Sequence, residues 1–416
     1  MPAITLSNVR NTVESICKTT PVTDIHTHIY ASSFGGLLLR GIDELLTYHY
    51  LVAEVFRTIN MEYSSWWKLS KKKQADIIWE ELFIKRSPVS EACRGVLTCV
   101  QAAGLQEALA DRNLDEIRNY YEKLSAEEHI EKVFKAAGVT KVVMTNNPFD
   151  PLESPVWLDA SFKPDPRFES AFRMDDVIVG WKTAVPILNG WGYKVDEGLS
   201  AESKKELKRY LSDWTERFNP RYMAVSLPPD FKYPDNSIRS RIIEEVVFPF
   251  CEENKIPFAM MIGVWKLVNP ELQLAGDAVG KSDIVTLGNI AKSFPNNKFL
   301  VTFLSRENTH EHAIYSRKFR NVMPFGCWWY LNNPSLINEI TRIRMETLGL
   351  SFIPQHSDAR ILDQLTYKWI HSRQLIADVL VDKYSDIIKS GWTVTDQEIQ
   401  ADVKRLFSSN FEDFVG

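Results

Sequence analysis

Eight times along the chain a short apolar run gives way to a loop and then to a helical pattern, and this alternation constrains the fold more than any other feature. The runs lie at residues 21–30, 141–147, 168–175, 221–228, 256–264, 298–306, 322–330 and 350–360. Several are almost continuously apolar, as strands covered on both faces of a parallel sheet are. Amphipathic patterns fill the intervals at 203–218, 239–254, 283–294 and 334–348. Ser282 is the expected N-cap of the third, and Asn333-Pro334 offers the fourth a polar cap followed by a proline at its first turn. Eight strands alternating with helices predict an α/β fold, a (β/α)8 TIM-like barrel. The alternative, a doubly wound open sheet, lacks its Gly-x-Gly-x-x-Gly turn after every run.

One interval breaks the rhythm. Roughly 110 residues separate the first run from the second, far more than one crossover helix needs. Within it, residues 42–57, 71–84, 90–103 and 114–124 read as helices. The expectation is a single barrel domain over residues 1–416 with a helical insertion, residues 31–138, after strand 1. In barrels this is the side on which sites are built.

Composition excludes several function classes. Lys+Arg 49 against Asp+Glu 54 leaves a net charge of −5, so no basic excess exists to hold nucleic acid or an anionic membrane surface. No window reaches the roughly 20 apolar residues of a membrane span. No charged-then-apolar leader opens the sequence, and the five cysteines (Cys17, Cys93, Cys99, Cys251, Cys327) show no Cys-x-x-Cys spacing. A reduced, cytoplasmic protein acting on a small molecule is expected, as a homo-oligomer.

The chemistry concentrates at the strand ends. His26 and His28 close the first run, and alternate residues of a strand point the same way, so both imidazoles can face the barrel mouth and share one divalent metal. Asp358 ends the eighth run, which neighbours the first when a barrel closes. Two histidines and one carboxylate make an open three-ligand site suited to zinc. The tips of runs four to six carry none of the strand-4 Lys and strand-5 and strand-6 histidines that two-metal members of the amidohydrolase superfamily, which this His-x-His motif resembles, use for a second ion, although His310 and His312 follow run six. One metal is therefore expected.

Asp24-x-His26-x-His28 after strand 1 resembles the amidohydrolase superfamily. In combination with His49-Tyr50, Trp328-Trp329 and Asp358-Ala359-Arg360, the chain is similar to the uronate (glucuronate) isomerase family within it, from about residue 21 to the C-terminal helices. The resemblance implies a metal-assisted aldose–ketose isomerase whose partner is a hexuronate such as D-glucuronate or D-galacturonate. It also implies site roles. Arg173 and Arg360 would hold the carboxylate or a developing oxyanion, since guanidinium forks bind carboxylates bidentately. Tyr50, its pKa lowered by nearby cations, would move the proton between C2 and C1 with His49 orienting it. Asp358 could accept a hydroxyl proton.

One of Trp328 and Trp329 would line the sugar pocket while the other packs in the wall, and Arg306 at the tip of strand 6 would touch substrate. His356, two residues before Asp358, could be a further ligand or a supporting residue. The sequence departs from the family pattern at strand 5, where Met261 stands two residues before Gly263 in place of a histidine, and at Ala359, where Ser is usual. A one-metal amidase or lactonase, and a sugar-acid-binding homologue that has lost activity, remain alternatives at this stage.

Overall fold

A computed structural model describes residues 4–416. Seven parallel strands form one sheet in chain order: β1 (Val22–Thr27), β2 (Val139–Asn146), β3 (Phe168–Arg173), β4 (Met223–Leu227), β5 (Phe258–Ile262), β6 (Phe299–Phe303) and β7 (Val322–Pro324). Each falls within or against one of the apolar runs. Residues alternate between two environments. In β6, Phe299, Val301 and Phe303 pack outward on the helices, while Leu300 faces the barrel interior with Ala259, Met261 and Phe325. The architecture is a TIM-barrel-like α/β fold.

The eighth run is not a strand. Residues 350–360 make one isolated bridge, Ile353 with Phe325, and Ile361 just beyond them makes another with Leu39. The barrel still closes through this segment. Ile353 N–H donates to the Pro324 carbonyl at 2.9 Å on one side; on the other, Asp358 N–H reaches the His26 carbonyl at 3.1 Å and His28 N–H the Ala359 carbonyl at 2.7 Å. Pro354 has no N–H for a ladder, and Asp358 sits at φ 51°, so continuous pairing is interrupted at both points.

Local chemistry explains other differences from the expected elements. The pattern at 42–57 folds as two helices, Ile42–Leu46 and His49–Val55, broken at an extended Tyr48. The Thr47 hydroxyl donates to the Asp43 carbonyl at 2.7 Å, the back-bond by which Thr competes with helix continuation. Ser282 does not cap the following helix, which runs Val285–Ser293. Its backbone is instead clamped by Asn308, whose side chain bonds both its N–H (3.0 Å) and its carbonyl (2.8 Å). Asn333 does cap Pro334–Leu348, accepting from Leu336 N–H at 3.3 Å.

Between β1 and β2 the helices from Ile42 to Glu122 share an apolar cluster of their own around Trp66, Ile78, Val96 and Ile117, distinct from the main core. Helix Ala126–Ala137, opened by a Ser125/Glu128 capping box, buries Ile130, Val133 and Phe134 in the main core instead. Among the described residues no helix is long and apolar enough to cross a membrane.

Candidate active site

β1 carries a register irregularity between Asp24 and Thr27, a bulge-like adjustment of the kind that re-aims side chains beside active sites. It brings His26 and His28 to one cleft at the C-terminal ends of the strands. The cleft is lined by His26, His28, His49, Arg173, Trp328, Trp329, Asp358 and Arg360, all expected from the sequence. Tyr48, Thr145, Asp175, Ser226, Met261 and Lys266 join them.

His26, His28 and Asp358 converge. Their ligand atoms all lie within 4.8 Å of one another, with His26 Nε2 3.8 Å and His28 Nε2 3.4 Å from Asp358 Oδ1. Tetrahedral ligands about 2.1 Å from a zinc ion stand about 3.4 Å apart, so the donor set fits a divalent metal in both spacing and type. Burial holds the His26 pKa down to about 3 and that of His28 well below its usual value. Both imidazoles are therefore neutral, the form that binds a metal. Among the described residues this is the one group of three such side chains that converges. His310 is exposed, and His312 is buried on its helix against the Phe303 ring.

The Asp358 backbone is held in its left-handed conformation from several sides. Buried Asp24 accepts from Ser357 N–H (3.0 and 3.2 Å) and from the Trp369 indole (2.7 Å), and buried Lys368 donates to the Ser357 carbonyl at 2.6 Å. Burial lowers the Lys368 pKa to about 8. Such over-determined strain beside a carboxylate able to hold a metal is typical of functional positions. His356 is fully buried on Phe325, its ring 5.3 Å from that of His26, and it does not belong to the converging set.

The two arginines differ. Arg173 donates to Asp175 (Nε to Oδ2, 3.0 Å), which raises its pKa and neutralises its charge locally. Among the described residues the Arg360 guanidinium has no acidic partner within salt-bridge distance; only its backbone N–H is engaged, by Gln364 at 2.9 Å. An unpaired guanidinium in a cleft is a receptor for an anion.

Three expectations change. Tyr50 does not line the cleft; Tyr48 and His49 do, because the helix break turns the Tyr50 ring back beside Lys368, 5.8 Å from its ammonium. Burial pushes the Tyr50 phenol well above its usual value, with Tyr48 and Asp358 adding to the shift. The reverse, a lowering by cations, was expected, so Tyr50 holds its proton. Arg306 opens a short turn after β6, its side chain 57% exposed and paired with Glu339 at 3.1 Å, and it does not reach the cleft. Both tryptophans line the cleft rather than one.

His49 meets the Trp329 ring edge-on at 5.5 Å. Its Nε2 and the Trp329 Nε1 are buried without a protein partner among the described residues. Burial holds the His49 pKa down to about 3. Of the side chains that sequence reasoning missed, Tyr48 and Asp175 lie beside or two residues from named candidates. Lys266, just after the short strand Val264–Trp265 that follows β5, had no local signal; its ammonium stands 5.4 Å over the Trp329 ring and bonds Asp277 at 2.7 Å.

No protein-family model and no curated protein matches the chain. Solved structures do. The chain is 53% identical to a uronate isomerase from Bacillus halodurans C-125, with a TM-score of 0.98 over 100% of this chain and 98% of that one. A uronate isomerase from Thermotoga maritima shares the fold at 15% identity and TM-score 0.76, covering 98% of this chain and 97% of that one. A glucuronate isomerase from Caulobacter crescentus does so at 12% and 0.71, covering 99% and 94%.

Proposed function

The chain belongs to the uronate isomerase family, and on that premise we propose that it is an aldose–ketose isomerase interconverting D-glucuronate with D-fructuronate and D-galacturonate with D-tagaturonate. The observation that carries the substrate class is Arg360, an unpaired guanidinium in the same cleft as the His26–His28–Asp358 cluster. It offers a two-pronged site for the hexuronate carboxylate, and Arg173, whose charge is offset by Asp175, adds N–H donors to that wall.

The reaction moves a hydrogen from C2 to C1 and a hydroxyl proton from O2 to O1 of the ring-opened sugar, so no external oxidant enters. His49 lines the cleft as a neutral ring whose Nε2 has no protein partner among the described residues, so it is placed to bond a sugar oxygen and orient the substrate for the proton transfer. Tyr50 keeps its phenolic proton behind it. Asp358 is placed to accept a hydroxyl proton, and Trp328 and Trp329 exclude water from the enediol. A divalent ion held by His26, His28 and Asp358, for which zinc suits the donor set best, would supply Lewis-acid polarisation of the sugar oxygens. All five cysteines are buried and unpaired, in keeping with a reducing compartment such as the cytoplasm.

The test is direct. Purified protein incubated with D-glucuronate and with D-galacturonate should form the ketoses, followed by NMR. Hydrolysis of a sugar lactone without any aldose–ketose exchange would overturn the isomerase reading.

A further inference from the structure

Two hydroxyl groups stand behind the histidine pair, one from β2 and one from the residue that precedes β4. The Tyr222 hydroxyl, immediately before β4, lies 2.7 Å from the Ile25 carbonyl and 3.0 Å from His26 Nδ1. The Thr145 hydroxyl, on β2, lies 3.0 Å from the Thr27 carbonyl and 2.7 Å from His28 Nδ1. The arrangement is the same twice over: an oxygen placed between a β1 carbonyl and the Nδ1 of the histidine that follows it in the chain.

A hydroxyl carries one proton. A carbonyl can only accept, so in each case that proton is committed to the β1 backbone, and the oxygen can meet the imidazole only through a lone pair. Nδ1 must then be the N–H, which leaves the lone pair of each ring on Nε2. Those are the two nitrogens that face Asp358, at 3.8 and 3.4 Å. Tyr222, His26 and Thr145 are 0%, 3% and 4% exposed and the His28 side chain 18%, so the Tyr222–His26 bond is closed to water while the Thr145–His28 bond lies at the floor of the cleft.

We infer that Tyr222 and Thr145 are positioning residues that fix His26 and His28 as Nδ1–H tautomers, so that a preformed pair of Nε2 donors meets the divalent ion. The inference rests on the metal reading of the cluster and adds to it the two residues that set ligand orientation. It also explains why hydroxyls rather than carboxylates sit there. A carboxylate could accept from Nδ1–H but could not also donate to the β1 carbonyl, which would be left unpaired in the barrel wall.

The test uses the full chain with Tyr222→Phe, Thr145→Val and Thr145→Ser. In metal-free wild type at neutral pH, nitrogen-15 NMR of the imidazoles, assigned with His26→Gln and His28→Gln, should show protonated Nδ1 and bare Nε2 for both rings. Titration with zinc should then give binding weakened about 10- to 100-fold in Tyr222→Phe and in Thr145→Val, with near-normal binding restored in Thr145→Ser. Thermal unfolding of each metal-free variant separates a loss of orientation from a loss of fold. Nε2–H tautomers in wild type would overturn the inference, as would folded Tyr222→Phe and Thr145→Val proteins that bind zinc like wild type. A wild type that binds no divalent ion would instead overturn the metal reading, and the tautomer spectra would still decide the inference.

Discussion

Arg360 gives the sharpest test of substrate recognition. Its guanidinium lines the cleft with no carboxylate partner among the described residues, whereas Arg173 in the same wall is already paired with Asp175. Arg360→Lys keeps the positive charge and removes the fork, so of two parallel bonds to a carboxylate one survives. A hydrogen bond to a charged group contributes about 1.5–3 kcal/mol, so kcat/KM for the uronate should fall roughly 10- to 150-fold. Because the side chain has no ion pair to lose, the unfolding free energy should move by no more than about 0.5 kcal/mol. The assay is the initial rate of ketose formation from glucuronate and, in parallel, from glucose. Glucose lacks the carboxylate and should be a poor substrate for both proteins. Wild-type efficiency of Arg360→Lys on glucuronate, or equal handling of glucose and glucuronate by wild type, would refute carboxylate recognition at this position.

Four further outcomes are expected. Wild type should carry close to one divalent ion per chain by elemental analysis, and the double substitution His26→Ala with His28→Ala should lose it while keeping its circular dichroism; full occupancy in the double variant would remove the proposed site. Burial depresses the His49 pKa to about 3, so the ring stays neutral at every pH above about 4 and kcat/KM should show no acid limb near 6.5 from this residue. A limb near 6.5 in wild type that disappears in a residually active His49→Asn protein would contradict that assignment. Arg306→Ala should leave kcat/KM within about twofold, because an exposed pair with Glu339 is all it breaks; a tenfold loss would return Arg306 to the site. Gly326→Ala would place a methyl 1.7 Å from His356 Nδ1 at φ 62°, and urea unfolding should show a loss of about 2–4 kcal/mol; unchanged stability would mean the buried ring can move aside.

Much of the site was legible before folding because its signals are local. His26 and His28 share a strand face by the two-residue period, and the eight apolar runs marked seven strands and the segment that closes the barrel. Arg306 was misplaced because a strand-end residue can continue along the pleat or begin a turn, and the turn carried its side chain toward Glu339. Tyr50 was misplaced because an unbroken helix was read where the Thr47 back-bond ends one. Its pKa was misread for the same reason, since desolvation depends on which way the ring faces.

The sequence by itself determined the alternation of strand and helix, the long interval after strand 1 and the set of residue types able to bind a metal and a carboxylate. These depend on periodicity and composition within a few residues of each position. Tertiary structure alone decided how the barrel closes, through a segment interrupted by Pro354 and a left-handed Asp358. It also decided which ring of the Tyr48–Tyr50 stretch faces the cleft. The hydroxyls behind the histidines are the extreme case, since Tyr222 lies 196 residues from His26 and Thr145 lies 117 from His28. A hydrogen bond of 3 Å is set by where two strands are packed side by side, and no pattern along one of them specifies the side chain its neighbour will present.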